Sequence, residues 1–297
     1  LRKQSALLLP GVTYHLVTFT VPEKLRRPIR SHPRELLELL IKTAASTLRD
    51  LCANPKWVGG VPGMTAVLHT WTRQLEYHPH VHFIVTGGAL DATGQWHGAH
   101  PKYLVPVDAL SMVFRARFRD ALKDQHGEVF ADVKRTVWYD HDWVVHSKPV
   151  GSGEKAYRYL ARYVYRVAIS ERAILEHTDK LIKVRYRHSD TNKPRTLRLK
   201  PQEFLRRFLQ HVLPSRFCKV RHYGLHHSSK RETIKGLRAA MTLTLNLPLP
   251  QLTEDDEDAG VPACPKCEAA MVFEQRLTVW EWRYRFANHP HVERGPP

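Results

Sequence analysis

The sequence predicts an α+β fold, in which an antiparallel sheet carries helices on one face. Two observations support this fold class. The segments at 64–72 and 80–86 are β-branched and apolar and are separated by a short polar loop, which is typical of an antiparallel hairpin. Segments with apolar residues at helical intervals lie before and after this hairpin, as at 34–53. Helices that flank an antiparallel sheet are the usual way to bury such apolar faces.

The elements follow one another in a simple order along residues 13–168. The first strand alternates in polarity and ends at Pro22, and a later helix begins after Pro106 and ends before Gly127. The predicted strands are 13–21, 64–72, 80–86 and 142–148, and the predicted helices are 34–53, 107–125 and 154–168.

The second half of the chain predicts a basic α/β extension. Two basic strands at 181–187 and 195–200 are followed by a helix at 201–213 and a strand at 217–223. Residues 246–263 are acidic and rich in proline, which favours a linker. The predicted domains are 12–170, with an insert at about 89–136, then the extension 171–245, and last a linker and tail at 246–297.

The charge of the chain indicates a polyanionic partner. Its 46 lysines and arginines against 29 acidic residues give a net charge of +17. A balance this positive favours nucleic acid, because cationic side chains neutralise phosphates and release counterions. No stretch approaches the roughly 20 apolar residues that span a bilayer, so we expect no membrane partner and a cytoplasmic location.

A histidine pair is the first candidate site. Alternation along a strand places His80 and His82 on one face, about 6.8 Å apart, a separation at which two imidazoles can share one divalent ion. A third ligand is open between His69, Gln74, Glu76 and water. A hairpin register that pairs His69 with His82 would put His69 on the same face as the histidine pair. A slip of that register by one residue would turn His69 to the other face. We expect His78 to contact DNA or to support His80.

Tyrosines on the predicted helix 154–168 are candidate nucleophiles. Helical phasing puts Tyr157 in the core and leaves Tyr165 at the border, whereas Tyr159 and Tyr163 stack at i and i+4 on a basic side. A phenol is mostly neutral at pH 7, and a nearby cation stabilises the phenolate that attacks phosphorus. The arginines predicted to hold DNA phosphates are Arg158, Arg162 and Arg166.

Cys264 and Cys267 have the spacing of a metal knuckle, but they supply half the ligands of a zinc ribbon. We interpret them as an incomplete or vestigial zinc site.

The motif His80-Val81-His82, followed by Tyr159-Leu160-Ala161-Arg162-Tyr163, resembles the HUH endonuclease superfamily, and within it the two-tyrosine rolling-circle transposases of bacterial insertion sequences. The resemblance extends over about residues 12–240. It is carried by VLHTWTRQLEYHPHVHFIVTGG, DWVVHSKP, YRYLARYVYRVAIS and EFLRRFLQHVLPSRFCKVRHYGL.

The resemblance implies a ferredoxin- or RRM-like palm that carries Mg²⁺ or Mn²⁺ on His80 and His82. It also implies that Tyr159 or Tyr163 attacks single-stranded DNA, which gives a 5′-phosphotyrosine link and a free 3′-hydroxyl. The implied partners are single-stranded or hairpin element ends, with possible self-association, in a bacterial, nucleoid-associated protein.

The sequence departs from the family in one respect. The family usually carries a Cys-rich zinc-binding region before the catalytic domain, and none precedes Gly11 here, which indicates either a fragment or a form without that module. The competing interpretations are a non-catalytic or decayed DNA-binding remnant, a related relaxase or replication initiator, and a metal hydrolase that activates water.

Overall fold

The computed structural model describes residues 6–100, 102–139, 143–152, 155, 168–188 and 191–245. The chain divides into two compact units, Leu1–Gln251 and Leu252–Pro297, and every described residue belongs to the first. The predicted tyrosine helix, apart from residues 155 and 168, and the predicted linker and tail lie outside the described residues.

The central element is a five-stranded antiparallel sheet with the strand order β10-β2-β3-β1-β6. A short hairpin and a separate three-stranded antiparallel sheet accompany it. The strands are β1 Thr13–Thr20, β2 Gly63–Trp71, β3 Tyr77–Thr86, β4 Gly88–Leu90, β5 Trp96–Gly98, β6 Val145–Ser152, β7 Ile174–His177, β8 Ile182–Arg187, β9 Pro194–Leu199 and β10 Val220–Gly224.

Seven α-helices are present among the described residues. They are α1 Glu23–Ser31, α2 Pro33–Ala53, α3 Val107–Gln125, α4 Gly127–Asp132, α5 Thr136–Tyr139, α6 Pro201–Leu209 and α7 Arg231–Leu245. Pro33 stands in the first turn of α2, where its missing N–H costs no hydrogen bond.

The main hydrophobic core lies between one face of the sheet and the helices α2 and α3. Its aromatic centre is Phe19 of β1, whose ring lies 5.7 Å from Phe83 of β3 and 5.0 Å from Phe114 of α3, both edge to face. The predicted α+β class, an antiparallel sheet with flanking helices, is confirmed. Helix α3 comes from the predicted insert, so this insert contributes to the core.

The opposite face of the sheet carries a much smaller apolar cluster. It contains Tyr14 and Leu16 of β1, Val67 of β2, Ile84 of β3, and Leu8 from the segment before β1. This cluster covers only part of the face. Farther along the same strands, the residues that point to this face are polar. This part of the face can therefore form a polar site.

The hairpin of β2 and β3 contains a bulge at His78 and Pro79. His69 pairs with His80, but Trp71 pairs with Tyr77, so β3 has one residue more than β2 between these two pairs. A bulge is a position that tolerates proline inside a sheet, because no ladder hydrogen bond is required of it. Strand β3 therefore begins at Tyr77, whereas the sequence predicted a start at His80.

The predicted extension contributes strands to two different sheets. Strand β10 is an edge of the central sheet, paired with β2, whereas β8 and β9 belong to the three-stranded sheet. Strand β6 is displaced from the predicted 142–148, and the predicted helix 201–213 ends at Leu209. The predicted domain boundaries remain predictions.

Candidate metal centre

Three histidines converge on the sheet face opposite the helices. The ring centroids of His80 and His82 are 4.7 Å apart, and the His69 ring lies 5.4 Å from His80 and 4.7 Å from His82. Each ring offers one nitrogen, and these three nitrogens lie within 4.8 Å of one another. The rings meet at steep angles of 73° to 87°, so they approach edge to face and do not stack.

The strand register explains why His69 joins the pair. His69 lies directly opposite His80, and Val67 lies opposite His82. The register that would pair His69 with His82 differs from the observed one by two residues. Side chains alternate with a period of two, so a shift of two residues keeps His69 on the same face.

Two hydrogen bonds fix the orientation of the histidine pair. Nδ1 of His80 donates to the main-chain carbonyl of His78 at 2.6 Å, which leaves Nε2 of His80 as the available ligand atom. The hydroxyl of Thr18 lies 2.8 Å from Nδ1 of His82. If this hydroxyl accepts the Nδ1 proton, Nε2 of His82 is the ring nitrogen that carries the lone pair for a metal.

His69 is held by an aromatic neighbour on its own strand. The indole of Trp71 stacks on the His69 imidazole with centroids 4.9 Å apart and an angle of 20°. His69 is buried, whereas His80 and His82 are half-buried. The triad therefore has a closed side at His69 and an open side toward solvent.

The lowered pKa values of His78, His80 and His82 keep these three histidines neutral at physiological pH. Desolvation by burial, with smaller contributions from the charges of His80 and Lys148, lowers the pKa of His82 to about 3. Burial also lowers the pKa of His80, and it lowers the pKa of His78 to about 4. Neutral imidazole is the form that binds metals.

The same face carries a cation on β6 that the sequence interpretation did not single out. Thr18 pairs with His82 on one side and with His146 on the other, and Lys148 follows two residues later. His146 and Lys148 are exposed. Alternation along DWVVHSKP could have placed them on one face, but only the pairing of β1 with β6 puts that face beside the histidines.

The other predicted ligands lie elsewhere. The Gln74 side chain donates to the hydroxyl of Tyr186 at 3.3 Å, and Glu76 is exposed in the loop. The ring of His78 lies 5.2 Å from that of His80, and its predicted DNA contact remains a prediction. The predicted nucleophiles, arginines and cysteines lie outside the described residues: Tyr159, Tyr163, Arg158, Arg162, Arg166, Cys264 and Cys267.

The donor set fits a divalent metal ion. Three converging imidazoles, two of them held in orientation by hydrogen bonds, are typical of transition-metal sites. Mg²⁺ prefers oxygen ligands, so water and substrate phosphate oxygens would have to complete its shell. The triad could hold a metal, and its nitrogen donors favour a transition ion over Mg²⁺.

Comparison with known protein families identifies the chain. A family described as "Putative transposase" matches residues 63–233, which include β2, β3 and all three histidines. The chain belongs to this transposase family. The family resemblance proposed from the sequence is thereby confirmed.

Two curated relatives are transposases by name. The "Putative transposase y4qJ" of Sinorhizobium fredii is 34% identical over 90% of this chain and 74% of its own length. The "Transposase for insertion sequence element IS801" of Pseudomonas savastanoi pv. phaseolicola is 28% identical over 73% of this chain. The chain spans only 55% of the length of this second relative.

Solved structures of the conjugative relaxase TrwC with oriT DNA also overlap with the chain. The metal-bound structure has a TM-score of 0.31 at 12% identity, covering 80% of this chain and 74% of that one, and a metal-free structure has a TM-score of 0.28. Overlaps this weak do not establish a common mechanism. None of the helices in the part of the chain that the structure describes has the length and hydrophobicity of a membrane span.

Proposed function

We propose that this chain is a metal-dependent transposase that nicks and joins single-stranded DNA through a tyrosyl–DNA intermediate. His69, His80 and His82 would hold a divalent ion. The oxygen of Tyr159 or Tyr163 attacks the phosphorus of a phosphodiester, and the bond from phosphorus to the 3′ oxygen breaks. The phenol loses its proton, and the 3′ oxygen gains one. The products are a 5′-phosphotyrosine link and a free 3′-hydroxyl.

The three converging histidines carry this proposal. Family membership supports DNA as the substrate, and the net charge of +17 supports a polyanion. When bound, the ion polarises the phosphate and stabilises negative charge on the attacking and leaving oxygens.

The side chains around the triad have distinct tasks in this proposal. The carbonyl of His78 and the hydroxyl of Thr18 orient the ligand rings. Lys148 is exposed on β6, which β1 separates from β3, and would attract a phosphate toward the triad. Two tyrosines would allow one strand end to be held while a second is cleaved or rejoined.

The decisive experiment measures covalent protein–DNA adducts with single-stranded oligonucleotides from element ends, with Mn²⁺ and Mg²⁺ supplied separately. We expect adducts with the unaltered chain. We expect fewer with Tyr159→Phe or Tyr163→Phe and none with the double variant, because phenylalanine lacks the attacking oxygen. Tyr157→Phe is the matched control, since helical phasing places Tyr157 in the core.

The same assay tests the metal site. His69→Ala, His80→Ala and His82→Ala should each abolish adduct formation. His100→Ala, at an exposed histidine stacked on Tyr103, should not. Adducts that persist in the double tyrosine variant would exclude the tyrosine chemistry. DNA binding without any adduct would support the non-catalytic remnant.

A further inference from the structure

The three-stranded sheet of β7, β8 and β9 presents a basic face to solvent. Lys183, Arg185 and Arg187 alternate along β8, and the register places Arg198 of β9 opposite Lys183. Arg185, Arg187 and Arg198 are exposed. The alternate residues Val184 and Leu199 are buried against Phe204 of α6, so the sheet has one apolar side and one cationic side.

The charge on this face is only partly neutralised. Lys183 pairs with Glu176 of β7. Within residues 168–188 and 191–245, the side chains of Arg185 and Arg187 donate to the main-chain carbonyls of Arg172 and Asn192. A neutral carbonyl leaves the full positive charge of a guanidinium available to an anion.

The basic face is tied to the hairpin that carries the three histidines. The guanidinium of Arg73, in the loop between β2 and β3, donates to the carbonyls of Arg187 and His188, both at 3.1 Å. Gln74 in the same loop bonds to Tyr186, and Leu75 packs with Val184 and Leu199. The loop between the ligand strands therefore packs against the apolar side of the β7–β9 sheet.

The composition of the face favours the backbone of duplex DNA over stacked single-strand bases. The six outward positions of β8 and β9 are Lys183, Arg185, Arg187, Pro194, Thr196 and Arg198, and none is aromatic. Proteins that hold single strands combine cations with aromatic rings on which bases stack. A cationic surface without aromatic rings can contact phosphates but has nothing for bases to stack on.

We infer that the outward face of the β7–β9 sheet binds the phosphate backbone of duplex DNA that adjoins the reacting single strand. This inference rests on the proposed function for its substrate class. Alternate residues of β8 are spaced by about 6.8 Å, so three cations form one continuous row. Contacts of this kind position the DNA without reading its sequence.

The test measures fluorescence anisotropy of a short labelled duplex, and of a single strand of the same length, over a series of salt concentrations in EDTA. We expect Arg185→Gln/Arg198→Gln to bind the duplex several-fold more weakly. The slope of log affinity against log salt should become shallower by about 1.8, because two phosphate contacts are lost. Arg185→Lys/Arg198→Lys should retain most of the slope, since it keeps both charges.

The matched control is Lys123→Gln/Lys134→Gln, which removes two exposed charges at and beyond the end of α3. It should leave duplex affinity and slope nearly unchanged. The inference is overturned if Arg185→Gln/Arg198→Gln binds the duplex like the unaltered chain. It is also overturned if the control loses as much affinity, or if single-strand binding falls equally. Because no cleavage occurs in EDTA, these outcomes do not depend on whether tyrosyl adducts form.

Discussion

At the residue scale, the candidate site depends on how the imidazoles are oriented as much as on their presence. His82 offers Nε2 to a metal when Nδ1 carries the ring proton, and the Thr18 hydroxyl, 2.8 Å from Nδ1, can accept that proton. Thr18 is also the residue that links the triad to β6, since it pairs with both His82 and His146. It acts on the metal through His82, as a positioning residue.

We predict that Thr18→Val lowers metal affinity by about 10- to 100-fold, because valine has nearly the same shape but cannot accept the Nδ1 proton. Isothermal titration of the metal-free chain with Mn²⁺ measures this affinity. Thr18→Ser keeps the hydroxyl and should restore most of it. Equal affinities for Thr18→Val and the unaltered chain would show that Thr18 does not position His82.

At the element scale, the loop between β2 and β3 connects the metal centre to the basic sheet. Leu75 is buried, although its φ of 61° is unusual for a residue with a side chain. The carbonyl of Leu75 accepts hydrogen bonds from Gln210 and His211, at 2.9 and 3.2 Å. These contacts and the small core around its side chain compensate for the strained backbone.

We predict that Leu75→Ala loosens the β7–β9 sheet without unfolding the central sheet. Loss of a buried leucine side chain costs about 2 kcal/mol or more, which corresponds to about 30-fold faster local opening. Hydrogen exchange of amides in β8 and β9 should accelerate by this factor, while exchange in β1 and β3 stays nearly constant. Uniform acceleration throughout the chain would contradict a local role for Leu75.

At the scale of the whole molecule, several buried histidines make stability depend on pH. His226 is buried between Thr65 and Gly63, and burial, with a smaller contribution from His222, lowers its pKa to about 3. Burial also lowers the pKa of His15. In the unfolded chain these groups titrate near 6.5, so the unfolded state binds more protons than the folded state below that pH.

We predict that the free energy of unfolding is greatest above pH 6.5 and falls as pH decreases toward 3. Each such histidine contributes a slope of about 1.4 kcal/mol per pH unit. Chemical denaturation at a series of pH values measures this dependence. His226→Gln removes one titrating group, so its slope should be shallower even though loss of packing lowers its stability. A stability that does not change between pH 7 and pH 5 would contradict this assignment.

The sequence determined the class of fold, the family and the histidine pair, because these depend on local patterns. Alternation in β1, β2 and β3 fixes which side chains share a face, and the 3.6-residue period of α2 and α3 fixes which faces are buried. Two histidines separated by one residue lie on the same face of any strand. The excess of basic over acidic residues indicated a polyanionic partner from the sequence alone.

Only the tertiary structure decided what lies beside that pair. The choice of His69 depends on a strand register that the loop and the bulge at Pro79 set, and the roles of Thr18 and Lys148 depend on which strands become neighbours. The basic face required the pairing of β8 with β9 and its attachment through Arg73 and Leu75. Such contacts join residues far apart in the chain, and local periodicity contains no information about which distant strands will pair.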